Sequence, residues 1–173
     1  MHKYLCGEFM IQEIEIVQAG PADAELASSI MLEVAEWLKE QGHTLWFPEE
    51  LTPEKLMGPI DAGELYLVMM RSRLVGTVIF QLHDKTYWPD MPEHDAAYVH
   101  KIVLRRSAAG QGLGARIIAW AKEKARSEGM AYLRLDTEAA RAKLCALYES
   151  AGFTRHSFRQ VGRHYVARYE MRV

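Results

Sequence analysis

Ala109-Gly110-Gln111-Gly112-Leu113-Gly114 stands between the apolar run Ile102-Val103-Leu104 and a segment in which Leu113, Ile117, Ile118, Ala121 and Ala125 recur at helical spacing. A strand, a turn of small residues and a helix, in that order, make an anion site. The unpaired amides at the helix start point outward with a partial positive charge, and glycine at 110, 112 and 114 keeps side chains from holding a ligand away from them. A pyrophosphate fits such a turn, although an ordinary tight turn has the same composition. Two other phosphate-binding readings fail. No Lys-Ser or Lys-Thr follows the glycines, as a nucleotide-triphosphate loop requires. The loop also follows several strands, and its glycine spacing differs from that of a dinucleotide fold.

Upstream, residues 9–17 mix isoleucines with charged positions and read as a first strand. A helix follows from Pro21 and Asp23 through Leu26, Ile30, Val34, Trp37 and Leu38 to Gly42. Thr52-Pro53 reads as an N-cap and first helical position, opening a short helix that ends around Gly58-Pro59. Glu64 to Met70 and Leu74 to Leu82 form a hairpin, and Ala96 to Leu104 is the strand entering the glycine loop. Downstream, Gly129 ends the loop helix, Tyr132 to Asp136 is a fifth strand, Glu138 to Ser150 is a last helix, and Phe153 to Gln160 and His164 to Val173 are strands.

With 173 residues, 49% hydrophobic and 25% charged, the chain is sized and composed for one domain, expected over residues 10–173, with residues 1–9 as a disordered extension and Met10 as a natural start. A net charge of -2 gives no support for nucleic-acid binding. No apolar run suggests a membrane span, no signal peptide is legible, and two cysteines, Cys6 and Cys145, need no bridge. The expectation is a cytoplasmic protein without membrane partners, for which a homodimer is compatible.

Together, Ile102-Val103-Leu104, the glycine loop and its amphipathic helix resemble the GCN5-related N-acetyltransferase (GNAT) superfamily. Leu133-Arg134-Leu135-Asp136-Thr137 and Leu147-Tyr148-Glu149-Ser150-Ala151-Gly152-Phe153 look like that family's fifth strand and following helix end. The resemblance covers Ala97 to Phe153. It implies an α/β (α+β) fold: a mixed, mostly antiparallel twisted sheet flanked by helices, splayed between strands 4 and 5. It also implies an N-acetyltransferase that uses acetyl-coenzyme A, without a metal, to acetylate a small-molecule or peptide amine by direct transfer. Backbone groups of Ile102, Val103 and Leu104 would pair with the pantetheine arm, and amides from Gly110 to Ala115, in the loop Ala109, Gly110, Gln111, Gly112, Leu113, Gly114 and Ala115, would hold the pyrophosphate. Two positions depart from the pattern. Ala109 stands where Arg or Gln is common, and Arg141 stands where Asn is common and could instead reach a phosphate. The Arg141 departure keeps open a second reading, a non-catalytic acyl-coenzyme A sensor.

At pH 7 only about one primary amine in a thousand is neutral, so acyl transfer needs a proton acceptor, amide donors for the oxyanion and an acid for the thiolate. The resemblance gives the acid role to Tyr148. For the base there are two candidates, His100, which titrates near neutrality, and Asp136, which matches a catalytic carboxylate of some relatives, with bulk water or a water chain as the remaining alternative. A sheet-bound histidine and a strand-end aspartate are the plain alternatives. Cys145 lies three residues from Tyr148 on the same helical face, where an acyl-cysteine is conceivable but a small core residue is the commoner outcome. Arg105, Arg106, Arg116 and Lys143 could meet phosphates. Most of them, like Arg155, Arg159, Arg163, Arg168 and Arg172, read as solvated. Trp37, Trp46 and Trp88, with Glu49, Glu50, Asp90, Glu93 and Asp95, lie on segments that flank the acceptor cleft in the superfamily and would suit a cationic amine. They also fit an acidic loop with core tryptophans.

Overall fold

The computed structural model describes residues 14–173. The extension expected over residues 1–9 and the opening of the first expected strand lie outside them. The described elements are β1 (Ile14–Gln18), α1 (Ala24–Glu40), α2 (Pro53–Asp61), β2 (Leu65–Met70), β3 (Arg73–Gln81), β4 (Ala96–Leu104), α3 (Leu113–Ser127), β5 (Tyr132–Glu138), α4 (Ala142–Ser150), β6 (Thr154–Val161) and β7 (His164–Arg172). The strands form one open sheet in the order β1-β2-β3-β4-β5-β7-β6. All neighbours are antiparallel except β4 and β5.

Helices cover both faces, as the two apolar periodicities require. On one side, Ile30, Met31, Val34 and Leu38 of α1 and Leu56 and Ile60 of α2 pack with Leu65, Leu67, Ile79 and Val103. On the other, Leu113, Ile117 and Ala121 of α3 and Tyr148 of α4 pack on Val78, Val99, Leu133, Leu135 and Tyr169. Each fully buried large apolar side chain contributes about 1.5–3 kcal/mol, which holds the helices to the sheet. Gly76 in β3 is needed for close approach, since a Cβ there would collide with the Val103 carbonyl oxygen.

Most boundaries lie within a residue or two of expectation, and the larger differences have a physical reason. α2 continues past Gly58-Pro59 to Asp61, because Leu56 and Ile60, one turn apart, are both buried and hold the last turn in place despite the donor missing at Pro59. Glu138 belongs to β5, where it pairs with Val166, so α4 begins only at Ala142. The first strand begins, within the described residues, at Ile14 and extends to Gln18.

The β4–β5 pairing decides where the sheet opens. Its register runs from Ala96↔Tyr132 to Val99↔Leu135 and stops there, although both strands continue. A bulge helps the divergence: between Thr77 and Ile79 of β3, β4 carries an extra residue, and Lys101 adopts φ 46. Beyond Val99 the β5-facing edge of β4 has no strand partner among the described residues.

Two arginines are buried, one of them, Arg168, against the expectation that it is solvated. Arg168 is 3% exposed and grips Asp90 with both terminal nitrogens, at 2.6 and 2.9 Å, while its guanidinium lies over Trp88. Arg134, also 3% exposed, pairs with Asp95, Glu170 and the Tyr98 hydroxyl. Ion pairing neutralises charges that burial would otherwise penalise. Several other basic side chains also have partners: Arg105 with Glu33, Arg106 over Trp37, Arg159 with Asp90, and Arg163 with Glu49 and Glu50.

Candidate active site

His100 and Asp136 occupy the first rung past the last paired one, Val99↔Leu135. Leu135 and Val99 point to the α3–α4 core, so strand alternation turns the next residue of each strand to the other face. The widening sheet leaves the two side chains facing one another across its opening, with His100 Nδ1 3.6 Å from Asp136 Oδ1. A cavity of about 530 Å³ passes through this opening. It is walled by α1 (Val34, Leu38), by the segments before α2 and after β3 (Trp46, Tyr87), and on the far side by α4 through Arg141, Leu144 and Tyr148. The acid candidate and both base candidates thus line one space.

A residue the sequence reading did not single out completes the group. Asp84, from the polar connection after β3, places Oδ2 3.1 Å from His100 Nε2. The histidine therefore sits between two carboxylates whose side chains are 4% and 10% exposed. Among the described residues neither facing oxygen has a partner other than His100, and the contacts act as ion pairs. Burial works against a charged His100, yet Asp84 and Asp136 outweigh it and raise its pKa. Burial likewise raises Asp136, to about 6, with His100 the strongest opposing influence and Asp84 adding to the rise. Burial also pushes the Tyr148 hydroxyl up to about 12. The ligand atoms of Asp84, His100 and Asp136 all lie within 4.8 Å of one another. With its two nitrogens turned to different carboxylates, the ring forms an ion pair on each side.

The glycine loop lies outside the cavity. Gly112 is the N-cap of α3 with φ 71, and Gly110 has φ 76. Among the described residues, a Cβ added at Gly110, Gly112 or Gly114 would meet nothing within 4 Å. The space over the helix start is open, as a phosphate would need. Of the other expected cofactor contacts, Ile102 and Arg141 line the cavity, whereas the Val103 side chain is buried in the α1-side core. Cys145 is buried and does not line the cavity.

On the acceptor side, Trp46 and Glu50 reach the cavity, and Trp37, Glu49, Asp90, Glu93 and Asp95 do not. Trp88 packs with Ala96 and Tyr98 in a small core of its own. The four expected acids outside the cavity are engaged elsewhere: Glu49 by Arg163, Asp90 by Arg168, Glu93 by Lys85 and Asp95 by Arg134. In their place stand Asp84, Asp136 and Glu138. With Glu50 they surround Tyr87, whose hydroxyl is raised to about 12 by burial and by these four carboxylates. The signal for Tyr87 and Asp84 was their three-residue spacing in a polar loop, too common to single out.

Residues 31–153 match the family model described as Acetyltransferase (GNAT) family. An uncharacterized N-acetyltransferase, YesJ, from Bacillus subtilis strain 168 is 28% identical over 137 residues, covering 76% of this chain and 76% of that protein. A GNAT-family acetyltransferase from Listeria monocytogenes aligns with a TM-score of 0.79 at 23% identity, over 94% of this chain and 96% of that one. The aminoglycoside acetyltransferase AAC(6')-Ib, in complex with coenzyme A and kanamycin, aligns with a TM-score of 0.71 at 13% identity, over 92% and 95%. The latter two likenesses concern the fold.

Proposed function

The chain belongs to the acetyltransferase (GNAT) family, and from that premise we propose that it transfers an acetyl group from acetyl-coenzyme A directly to a cationic amine acceptor in a ternary complex. One observation carries the reading: the rung that opens the sheet brings a raised-pKa carboxylate, a histidine and a phenol to a single cavity. A module that only bound acyl-coenzyme A would need neither a buried base nor a buried acid.

The α3 start, with its open space over Gly110, Gly112 and Gly114, fits the pyrophosphate, and the unpaired edge of β4 from His100 to Leu104 fits the pantetheine arm. Acetyl-coenzyme A, as substrate, supplies the activated thioester. Four carboxylates and Trp46 in the cavity lining favour a small-molecule or peptide amine that carries positive charge. The absence of a need for disulfides agrees with a reducing cytoplasm.

Asp136 takes the proton. With a pKa of about 6 it is ionised at neutral pH, and as the C–N bond forms the nitrogen becomes acidic enough to give up a proton to it. His100, held charged between two carboxylates, stabilises the ionised Asp136 and is not itself the acceptor. This choice between the two sequence candidates rests on their opposite protonation. Tyr148, raised to about 12, keeps its proton through neutral pH and donates it to the leaving thiolate.

Tyr148→Phe tests the acid. The ring and its packing against Phe153 and Tyr169 remain, so cofactor affinity by calorimetry stays near wild type. Turnover falls by up to about a hundredfold, the lower end for general acid catalysis because thiolates leave readily. Wild-type turnover, with chemistry shown to limit the rate, returns Tyr148 to the core. Direct transfer has its own test: Cys145→Ser retains most activity, and intact-mass measurement finds no acetylated enzyme when the acceptor is withheld. Stable acylation at Cys145 overturns the ternary mechanism.

A further inference from the structure

Asp84 has the least exposed side chain among the carboxylates of the cavity, and several contacts fix its position. Its Oδ1 accepts the backbone N–H groups of Thr86 and Tyr87, each at 2.9 Å, and its carbonyl accepts from the Trp88 amide. That leaves Oδ2 aimed at His100 Nε2. A carboxylate buried to this degree needs a counter-charge, and the imidazolium is the cation in contact. We propose that Asp84 is a positioning residue for the transfer, holding His100 by Nε2 so that Nδ1 faces Asp136 and keeps that carboxylate ready to accept the proton. The inference rests on Asp136 being the base.

The charged groups around the pair come from every neighbouring element. Asp84 and Tyr87 approach from the connection after β3, Lys101 lies beside His100 on β4, and Asp136 faces it from β5. His164 on β7 and Tyr148 on α4 adjoin Asp136, and Glu50 adjoins Lys101. Of these groups the two carboxylates favour the imidazolium and Lys101 opposes it. Burial itself opposes it most strongly, so His100 without Asp84 loses its proton more easily than in the wild type. Asp136 then loses its strongest stabilising neighbour. That loss outweighs relief from the like charge of Asp84, because His100 influences Asp136 more than Asp84 does. The Asp136 pKa therefore rises, and activity should be lost on the acid side of the rate profile.

Asp84→Asn in the full chain is the test, because asparagine keeps an acceptor oxygen for Thr86 and Tyr87 while removing the charge. Two readouts are taken: the His100 ring nitrogens followed by NMR against pH without substrate, and kcat/KM against pH with acetyl-coenzyme A and an amine that the wild type acetylates. In the wild type His100 remains charged above pH 6.5, the ordinary midpoint. In Asp84→Asn it titrates at lower pH, and kcat/KM falls about tenfold more at pH 6.5 than at pH 9. A wild-type rate profile, or a loss equal at all pH with an unmoved His100 titration, overturns the inference. Should the variant fail to fold, the wild type decides: a His100 already neutral at pH 6.5 overturns it as well. The two readings fail differently. An unmoved His100 titration overturns the role of Asp84 whatever Asp136 does, whereas full activity in Asp136→Asn overturns the base assignment and with it the acid-side loss expected of Asp84→Asn.

Discussion

Gly112→Asp abolishes the stabilisation that acetyl-coenzyme A confers. At ligand about a hundred times its Kd, binding to the native state alone adds about 2.7 kcal/mol, which in a chain of this size raises Tm by about 5 to 10 °C. The variant shows no shift. Its fold survives for two reasons: an added Cβ meets no atom within 4 Å, and aspartate both tolerates the left-handed backbone at φ 71 better than most residues and serves well as an N-cap. What it removes is the open, electropositive space over the helix start, since its carboxylate takes the amides and repels the pyrophosphate. Differential scanning fluorimetry with and without ligand reads the result directly. A folded Gly112→Asp protein whose Tm still rises with acetyl-coenzyme A would place the pyrophosphate elsewhere.

How much of this was legible depended on the range of the determining interactions. The strand, the glycine turn and the helix over Ile102 to Ala125 could be read because periodicity and turn chemistry are local. The open rung could not. It depends on the β4–β5 register, on the bulge at Lys101 and on the point where two strands distant in sequence part, none of which a single segment encodes. The sequence offered His100 and Asp136 as alternatives because it had no means of showing them 3.6 Å apart. Asp84 escaped notice for the same reason, as its partner lies on a different strand. Arg134 and Arg168 show the converse: arginine is usually solvated, and only the sheet order brings Asp95, Glu170 and Asp90 close enough to bury them. The α2 boundary was misplaced because Gly-Pro is a strong local stop, and tertiary burial of Ile60 overrode it.

Asp136→Asn is the substitution with the largest expected effect on chemistry. The amide is nearly isosteric with the carboxylate but cannot take a proton at neutral pH, so an acceptor present only in the transition state is lost. General base catalysis is worth about a hundredfold to ten-thousandfold, and kcat should fall by that amount while acetyl-coenzyme A affinity is kept. The pH profile carries the more specific signature. In the wild type, activity falls as pH drops through about 6, where Asp136 gains its proton, whereas in the variant that acidic limb disappears and only a low rate remains. Stability moves in the opposite direction. A carboxyl raised from about 3.9 in the unfolded chain to about 6 when folded is less costly to bury protonated, so its ionised form lowers stability above pH 6 and the native state gains as pH falls through that value. The asparagine variant is free of this penalty, and its Tm at pH 8 should equal or exceed that of the wild type. Reduced turnover in a protein at least as stable as its parent separates loss of the base from loss of the fold. Steady-state rates from pH 5 to 9 and thermal melts at pH 8 on both proteins make the comparison. Wild-type turnover in Asp136→Asn, once acetyl transfer is shown to limit the rate, leaves the proton with another acceptor and reduces Asp136 to a counter-charge for His100.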